Sequence, residues 1–496
     1  MSLTKVSFSM INGDVVNVLD YGADLTGVAD STSAIAAAIA TGKAVFFPKG
    51  TYLSGAQTVT TQGQTFFGEG AGSIIQASSA SASLFTVQAS YVTFTDLRMN
   101  GASTSDATIS YAIFTDQANP ALFLTAERLL ITGASAPFGF NDGIKLDNGC
   151  TYSNIINCHF DRLWGAISGT GYGVLCAGNR AKIISCNFLG SSGRGRHAVY
   201  ITAGASDCIV SENSVDGFDF DGITQYAIGA QSSCDRNIYS NNIVTNCVSG
   251  GNVTSGAIGI FGYTDSALII GNTITGSSAK GIVVDGTGVI TNKNTVITGN
   301  IVNYSALIGI DLIACVGGAI TCNKVFESST TSAGTYSNIR LVSDGTTATS
   351  DIIVTGNHSA GATYARSAFQ LNSTAPTPSN VAAYGNQFDL CNLTSVELNG
   401  VVCPIDSRLM FRQDSVTYGP ITSGSYVTAN YTITGANTGD ICTVSHTAMP
   451  AGCVIYANCN SGNTVTVTVT NVTGSPVTTS SGALRIDVWK RPANYL

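Results

Sequence analysis

Three stretches of this 496-residue chain hold a large share of its reactive side chains. HFDRLWGAISGTG carries Asp161, Arg162 and Trp164, and LGSSGRGRH carries Arg194, Arg196 and His197. SVDGFDFDGITQ carries Asp216, Asp219, Asp221 and Gln225. Together they take seven of the 52 formally charged residues (22 basic, 30 acidic) and one of the four histidines. Glu212 stands just before the third stretch, on an alternation that faces outward if Ile209 and Ser211 face inward. Two carboxyl groups flanking a bond, one acid and one base or nucleophile, are what glycoside hydrolysis needs. A base beside a cation is what elimination on a uronic acid needs. Asp219 and Asp221 are the first choices for the carboxyl pair, with Glu212 and Asp216 next. His197, or an arginine of the 194–196 pair, would serve the eliminating alternative. Asp161, Arg162, Trp164, Arg194, Arg196, His197 and Gln225 are expected to hold a sugar, Trp164 as a stacking platform. The opposing reading makes the Asp and Gly residues ordinary turn formers, with Arg194 and Arg196 paired to Asp216 or Asp219.

The elements that must position these residues are repeats. A run of alternating aliphatics, then Asn, then one or two apolar residues recurs along the chain. It reads KIISCNF at Asn187, CIVSENSV at Asn213, IYSNNIV at Asn242 and LIIGNTI at Asn272. VITGNIV at Asn300, AITCNKV at Asn323, IVTGNHS at Asn357 and AAYGNQF at Asn386 continue it. The steps are 26, 29, 30, 28, 23, 34 and 29 residues, and His159 takes the equivalent place 28 residues before Asn187. Between these runs lies a second strand-like segment, such as GIKLD (143–147), YGVLC (172–176), HAVYIT (197–202) and GIVVD (281–285). A unit of about 28 residues with two or three strands and no helix cannot bury its apolar face alone. The pattern therefore predicts an all-β fold, a right-handed parallel β-helix of stacked coils. Stacking would align the asparagines into an amide ladder, each tolerant of the left-handed turn conformation. It would also set the three reactive loops side by side. Asp147, Asp207, Asp235, Asp265 and Asp285 read as turn caps, and Asp142 as a minor candidate on the reactive face.

Composition narrows the partners. Charged residues are 10% of the chain, against about 25% in an average soluble protein. Net charge is −8, which argues against nucleic acid. No run of 18 apolar residues occurs, so no membrane span is expected, and the N-terminus lacks the apolar core of a secretory signal. The chain reads as one folded in a cytoplasm. A surface of hydroxyl, amide and backbone groups suits sugars. The fourteen cysteines show no metal-binding spacing, so neither a metal nor another cofactor is expected. Cys158, Cys186 and Cys322 fall near one point of the repeat and read as reduced core residues.

The ends differ from the middle. Asp30 or Ser31 could cap a helix over 31–41 that stops at Gly42, closing one end of the solenoid. After about residue 404 the rhythm changes to longer alternating strands, which suggests an antiparallel β-sandwich over 404–496. The segment 16–55 has DYGA, a turn, a helix and PKGTY in order. It resembles the opening of the pectate-lyase-like β-helix superfamily, and with residues 5–23 it resembles phage tail proteins of that superfamily. Its one departure is Leu25-Thr26-Gly27 in place of the usual Gly-Asp-Gly turn. The resemblance implies a tailspike that cuts a bacterial surface polysaccharide, capsule or O-antigen, on the virion at the cell surface. It implies a homotrimer, a β-helix over 16–403, and a peptide over 1–15 that docks on another tail protein. A glycan-binding adhesin without activity is the further alternative.

Overall fold

The computed structural model describes residues 14–80, 83–104, 109–133, 135, 138–164, 170–190, 195–227, 233–247, 254–286, 292–372, 376–392, 394–397, 408–433 and 436–489. The chain divides into a unit of residues 1–380 with 387–401 and a unit of 402–496 with 381–386.

The first unit is a parallel β-solenoid. Its strands form three sheets of 14, 14 and 13 strands, and each coil contributes one strand to each sheet in turn. In one coil Lys182–Ile184 lies in the first sheet, Asn187–Leu189 in the second and His197–Thr202 in the third. The strands are short because only one or two side chains per strand can point into so narrow a core. Those side chains stack in register. Ile183, Val210, Tyr239, Ile269, Ile297, Ile320 and Val354 form one fully buried column of the first sheet. Val199, Ile223, Ile258, Ile282, Ile310 and Ile339 form another, from the third.

The turn from first to second sheet holds the amide ladder. Nδ2 of Asn213 donates to Oδ1 of Asn242, and the same 2.9 Å bond repeats from Asn242 to Asn272, Asn300, Asn323 and Asn357. Each Oδ1 also accepts the backbone N–H of the preceding coil's asparagine, so a buried turn leaves no amide unpaired. The structure corrects the register here. The left-handed residue is the one before the asparagine: Glu212, Asn241, Gly271, Gly299, Cys322 and Gly356 all have φ between 56° and 67°. Asn187 and His159 stand one place later, in second-sheet strands paired with each other. The ladder position in those coils belongs to buried Cys186 and Cys158. Cys322 is therefore a turn residue, and it is exposed.

At the N-terminal end, Thr32–Ala40 is an α-helix that buries Ala34, Ile35, Ala38 and Ile39. Asp30 accepts the N–H of Thr32, and Gln64 reaches the carbonyl of Ile39 at the other end. The departing turn is held by Asp24, whose carboxylate accepts N–H bonds from Thr26, Val28 and Ala29.

The second unit has two three-stranded antiparallel sheets. One orders Arg408–Val416, Gly482–Trp489 and Ile441–His446; the other orders Tyr426–Thr432, Thr464–Asn471 and Cys453–Ser461. Val465, Val467 and Val469 meet Leu484, Ile486 and Val488 in one core, as in a sandwich.

Candidate functional site

The strands of the third sheet open with a shared pattern: a variable residue, a small residue, then an aliphatic one. The instances are DGI (142–144), YGV (172–174), HAV (197–199), DGI (221–223) and KGI (280–282). The small residue has a steric cause. A Cβ on Gly143 would lie 2.7 Å from the Phe160 ring, and one on Gly173 2.6 Å from that of Phe188. The variable residue before it is the one that carries chemistry. Asp142, Tyr172, His197 and Asp221 follow one another in adjacent coils, with Tyr111 before them.

Their side chains touch. The rings of Tyr172, His197 and Tyr200 stack mutually, with centroids 5.0–5.6 Å apart and planes within 14°. Nδ1 of His197 lies 3.4 Å from Oδ2 of Asp221 and 3.3 Å from its carbonyl oxygen. Burial, and then the charge of Arg196, pushes the His197 imidazole down to about 3. It is neutral near pH 7, and in the tautomer with its proton on Nδ1 it would donate to Asp221 and leave a lone pair on Nε2. Burial pushes the Asp221 carboxyl up to about 6 against N–H donation from Gly256 and hydroxyl donation from Thr224 and Ser255. Burial likewise pushes Asp142 up to about 7, against the backbone N–H groups of Tyr172 and Gly171. Oδ2 of Asp142 has no partner among the described residues. Arg196 reaches the Tyr172 hydroxyl at 3.4 Å and lies 4.8 Å over the Phe220 ring. Its Nε is also buried without a partner among the described residues.

The polar file continues up the same sheet. Lys280 and Arg340 both hold the fully buried Asp311, each at 2.8 Å. Burial alone would raise that carboxyl, but the two cations hold it below its ordinary value. Beyond them Ser337, Gln370, Glu397 and Arg366 form a connected chain of hydrogen bonds.

The structure divides the residues picked out from sequence. Arg196, His197, Asp219 and Asp221 gather at the third sheet, and all but Arg196 are at most 5% exposed. Asp161 and Asp216 lie instead on the second sheet, two coils apart with Leu189 between them. Asp161 meets Arg162 and Thr132; Asp216 accepts from Thr245 and Asn246. Trp164 donates its backbone N–H to Phe140 and stands beside Gly139. Arg194 lies outside the described residues.

Two assignments are corrected. Glu212 is the left-handed residue of the turn between first and second sheets, one strand removed from the third-sheet loops, and it accepts from Ser185. Gln225 points into the solenoid. Its amide is bonded to Thr264 and the Cys234 carbonyl, and its oxygen to Asn237 and Tyr239, which leaves nothing for a sugar. For Glu212 the source is a register displaced by one residue, since a one-residue slip moves a side chain to the opposite face; Gln225 lies not in a loop but within the strand Ile223–Ala227. Tyr172, Tyr200, Lys280, Asp311 and Arg340 were not singled out. The residue-small-aliphatic pattern was the signal available for Tyr172 and Lys280.

Comparisons with known proteins agree with this architecture. Residues 15–256 match the family model described as rhamnogalacturonase A/epimerase, pectate lyase-like. No curated protein matches the chain by sequence. Among solved structures, a mutant tailspike protein of E. coli bacteriophage HK620 in complex with a hexasaccharide is similar at a TM-score of 0.68. It is 12% identical, with 98% of this chain and 94% of that one covered. The Dettilon tailspike protein follows at TM-score 0.56 and 13% identity, covering 97% and 96%. The A-module of the mannuronan C-5 epimerase AlgE6 of Azotobacter vinelandii gives 0.53 at 16% identity, covering 78% and 97%. Such identities establish the shared fold alone. Residues 15–256 are thus similar to the rhamnogalacturonase A/epimerase, pectate lyase-like family, and the chain folds as a parallel β-solenoid whose structural neighbours include phage tailspikes and a β-helix epimerase.

Proposed function

We propose that the chain is a tailspike-type depolymerase that endo-cleaves a bacterial surface polysaccharide, a capsule or O-antigen, at the outer face of the third sheet. The observation that carries this reading is the meeting of Arg196, His197 and Asp221 with two stacked tyrosines at the start of the third-sheet strands, with Asp219 two residues from Asp221. The hexasaccharide held by the HK620 tailspike on the same fold supports it.

Hydrolysis is the first reading. Asp221, up at about 6, retains a proton at mildly acidic pH and donates it to the glycosidic oxygen. Asp219, two residues earlier, supplies the opposing carboxylate. Asp142 is not that partner. Three coil spacings of about 4.8 Å set it roughly 14 Å from Asp221, and a hydrolytic pair spans at most about 9.5 Å. Asp142 instead offers a carboxyl to a neighbouring sugar hydroxyl, and Arg196 and Tyr200 position the ring.

Elimination on a uronic acid is the second reading, and one observation favours it: a neutral imidazole oriented by a carboxylate. His197 Nε2 would take the sugar proton, with Asp221 holding the ring and Arg196 facing the uronate carboxylate. Phe220 packs against His197 at 5.9 Å, so in either case the glycan displaces it.

Assembly belongs to the same proposal. The outer column of the first sheet runs Ile209, Ile238, Leu268, Val296, Ala319 and Ile353, an aliphatic stripe suited to a homotrimer. Residues 1–15, of which 1–13 lie outside the described residues, would dock on another virion tail protein. The deciding experiment incubates the protein with purified capsules and O-antigens and weighs the products. Fragments heavier by one water support hydrolysis; unsaturated, ultraviolet-absorbing ends support elimination. Binding without shortening overturns the enzyme reading in favour of an adhesin.

A further inference from the structure

The second unit holds a pair of adjoining thiols, one of them partly exposed. Cys442 lies in Ile441–His446, an edge strand of one sheet, and Cys459 in Cys453–Ser461, an edge strand of the other. Their sulfur atoms are 3.2 Å apart, and neither is in a disulfide. Cys158 and Cys186, and Cys176 and Cys208, also adjoin each other in the solenoid, but all four are buried, and Cys158, Cys186 and Cys208 direct their sulfurs at backbone carbonyls too. A disulfide needs about 2.05 Å between sulfurs, so a shift of roughly 1 Å closes the gap. Cys442 is partly exposed and Cys459 is buried, which fixes the order of attack.

We infer that Cys442 and Cys459 form a modification site, oxidised to a cystine that ties the two sheets of the C-terminal unit together. With a disulfide oxidant such as oxidised glutathione, the Cys442 thiolate attacks one sulfur of the oxidant and releases one glutathione thiol. The Cys459 thiolate then attacks Cys442 Sγ and releases the second. Two protein thiols are oxidised, one glutathione disulfide is reduced, and the two thiol protons end on the released glutathiones. The bond closes a loop between residues 17 apart, which restricts the unfolded chain.

The test uses the full chain, purified reduced and then held in oxidised glutathione. Free thiols are capped with N-ethylmaleimide after denaturation and the peptides are weighed. The expected result is one cross-linked pair, Cys442 to Cys459, lighter by two hydrogens, with the other twelve cysteines capped. In a Trp164→Phe background Trp489 is the sole tryptophan and reports this unit. Its thermal transition should rise on oxidation by on the order of 10 °C. Cys442→Ser should abolish both the cross-link and the shift, whereas Cys453→Ser should keep both. Maleimide on Cys442 and Cys459 after oxidation, a different cross-linked pair, or a shift that persists in Cys442→Ser would overturn the inference. No glycan enters the assay, so its outcome is independent of the polysaccharide reading.

Discussion

The first and third sheets are laid down by the same coils, yet their outer faces are opposites. Both bury a continuous aliphatic column inward. Outward, the first sheet shows Ile209, Ile238, Leu268 and Ile353, while the third shows Tyr200 and Arg340 and holds the buried Tyr172, His197, Asp221 and Lys280 at the start of its coils' strands. A solenoid core constrains only the inward residues, because each coil contacts only its neighbours. The outer residues are free to specialise, and here the two sheets have done so differently, one aliphatic and the other polar and aromatic.

That contrast can be broken from either side. The largest effect is expected at the third sheet. Asp221→Asn should leave the fold intact and lower cleavage about a thousandfold, measured as product release per chain. Glu212→Gln, at the far turn, should change cleavage less than about twofold. Equal losses in the two variants would dissolve the distinction between the faces.

Next comes the frame itself. Asn272→Leu leaves the Asn242 amide and the Tyr239 carbonyl without their partners. Stability should fall by about 3 kcal/mol, read from urea midpoints. A loss under about 1 kcal/mol would show that the ladder is a by-product of packing.

The pH profile of cleavage sharpens the chemistry. Asp221 sits at about 6 because burial disfavours its charged form. If it donates the proton, kcat/KM falls about tenfold per unit above that pH. If its carboxylate orients His197 as base, kcat/KM rises up to pH 6 and then levels, since His197 is already neutral above about 3. The direction of the limb near pH 6 separates hydrolysis from elimination without knowledge of the glycan.

The first sheet should affect assembly far more than cleavage. Ile238→Glu with Leu268→Glu should convert the assembly to single chains in sedimentation and change cleavage per chain less than about threefold. A monomeric parent protein would remove the trimer, and loss of cleavage in the variant would move the site to a subunit boundary.

Sequence made the architecture legible because period and inward alternation are local properties. The end helix, the coils and the change of rhythm before the C-terminal unit all follow from them. The site was legible only in part. His197, Asp219 and Asp221 were singled out because loop charge is scarce in this chain, and the structure buries all three. Glu212, Asn187 and Cys322 were misplaced because the left-handed residue precedes the asparagine, and no composition signal marks it; Gln225 was read as a loop residue but lies within a third-sheet strand. Lys280, Asp311 and Arg340 escaped because they are distant in sequence and meet only through the register of three successive coils. Burial raises Asp142 and Asp221, and burial depends on what covers a strand, which a linear pattern does not contain.

The amide ladder has one further consequence. Every rung between Asn213 and Asn357 offers its neighbours the same donor and the same acceptor. The coils are therefore interchangeable parts. Excising residues 272–299, a 28-residue coil, would bring the turn at Asn242 onto Asn300 with identical bonds on both sides. Lys280 would leave with it, and the two halves of the polar file would be drawn one coil closer together. Insertions and deletions of whole coils can thus change the length of the polar file while leaving every remaining turn satisfied, which makes the solenoid's reach adjustable by recombination at the ladder.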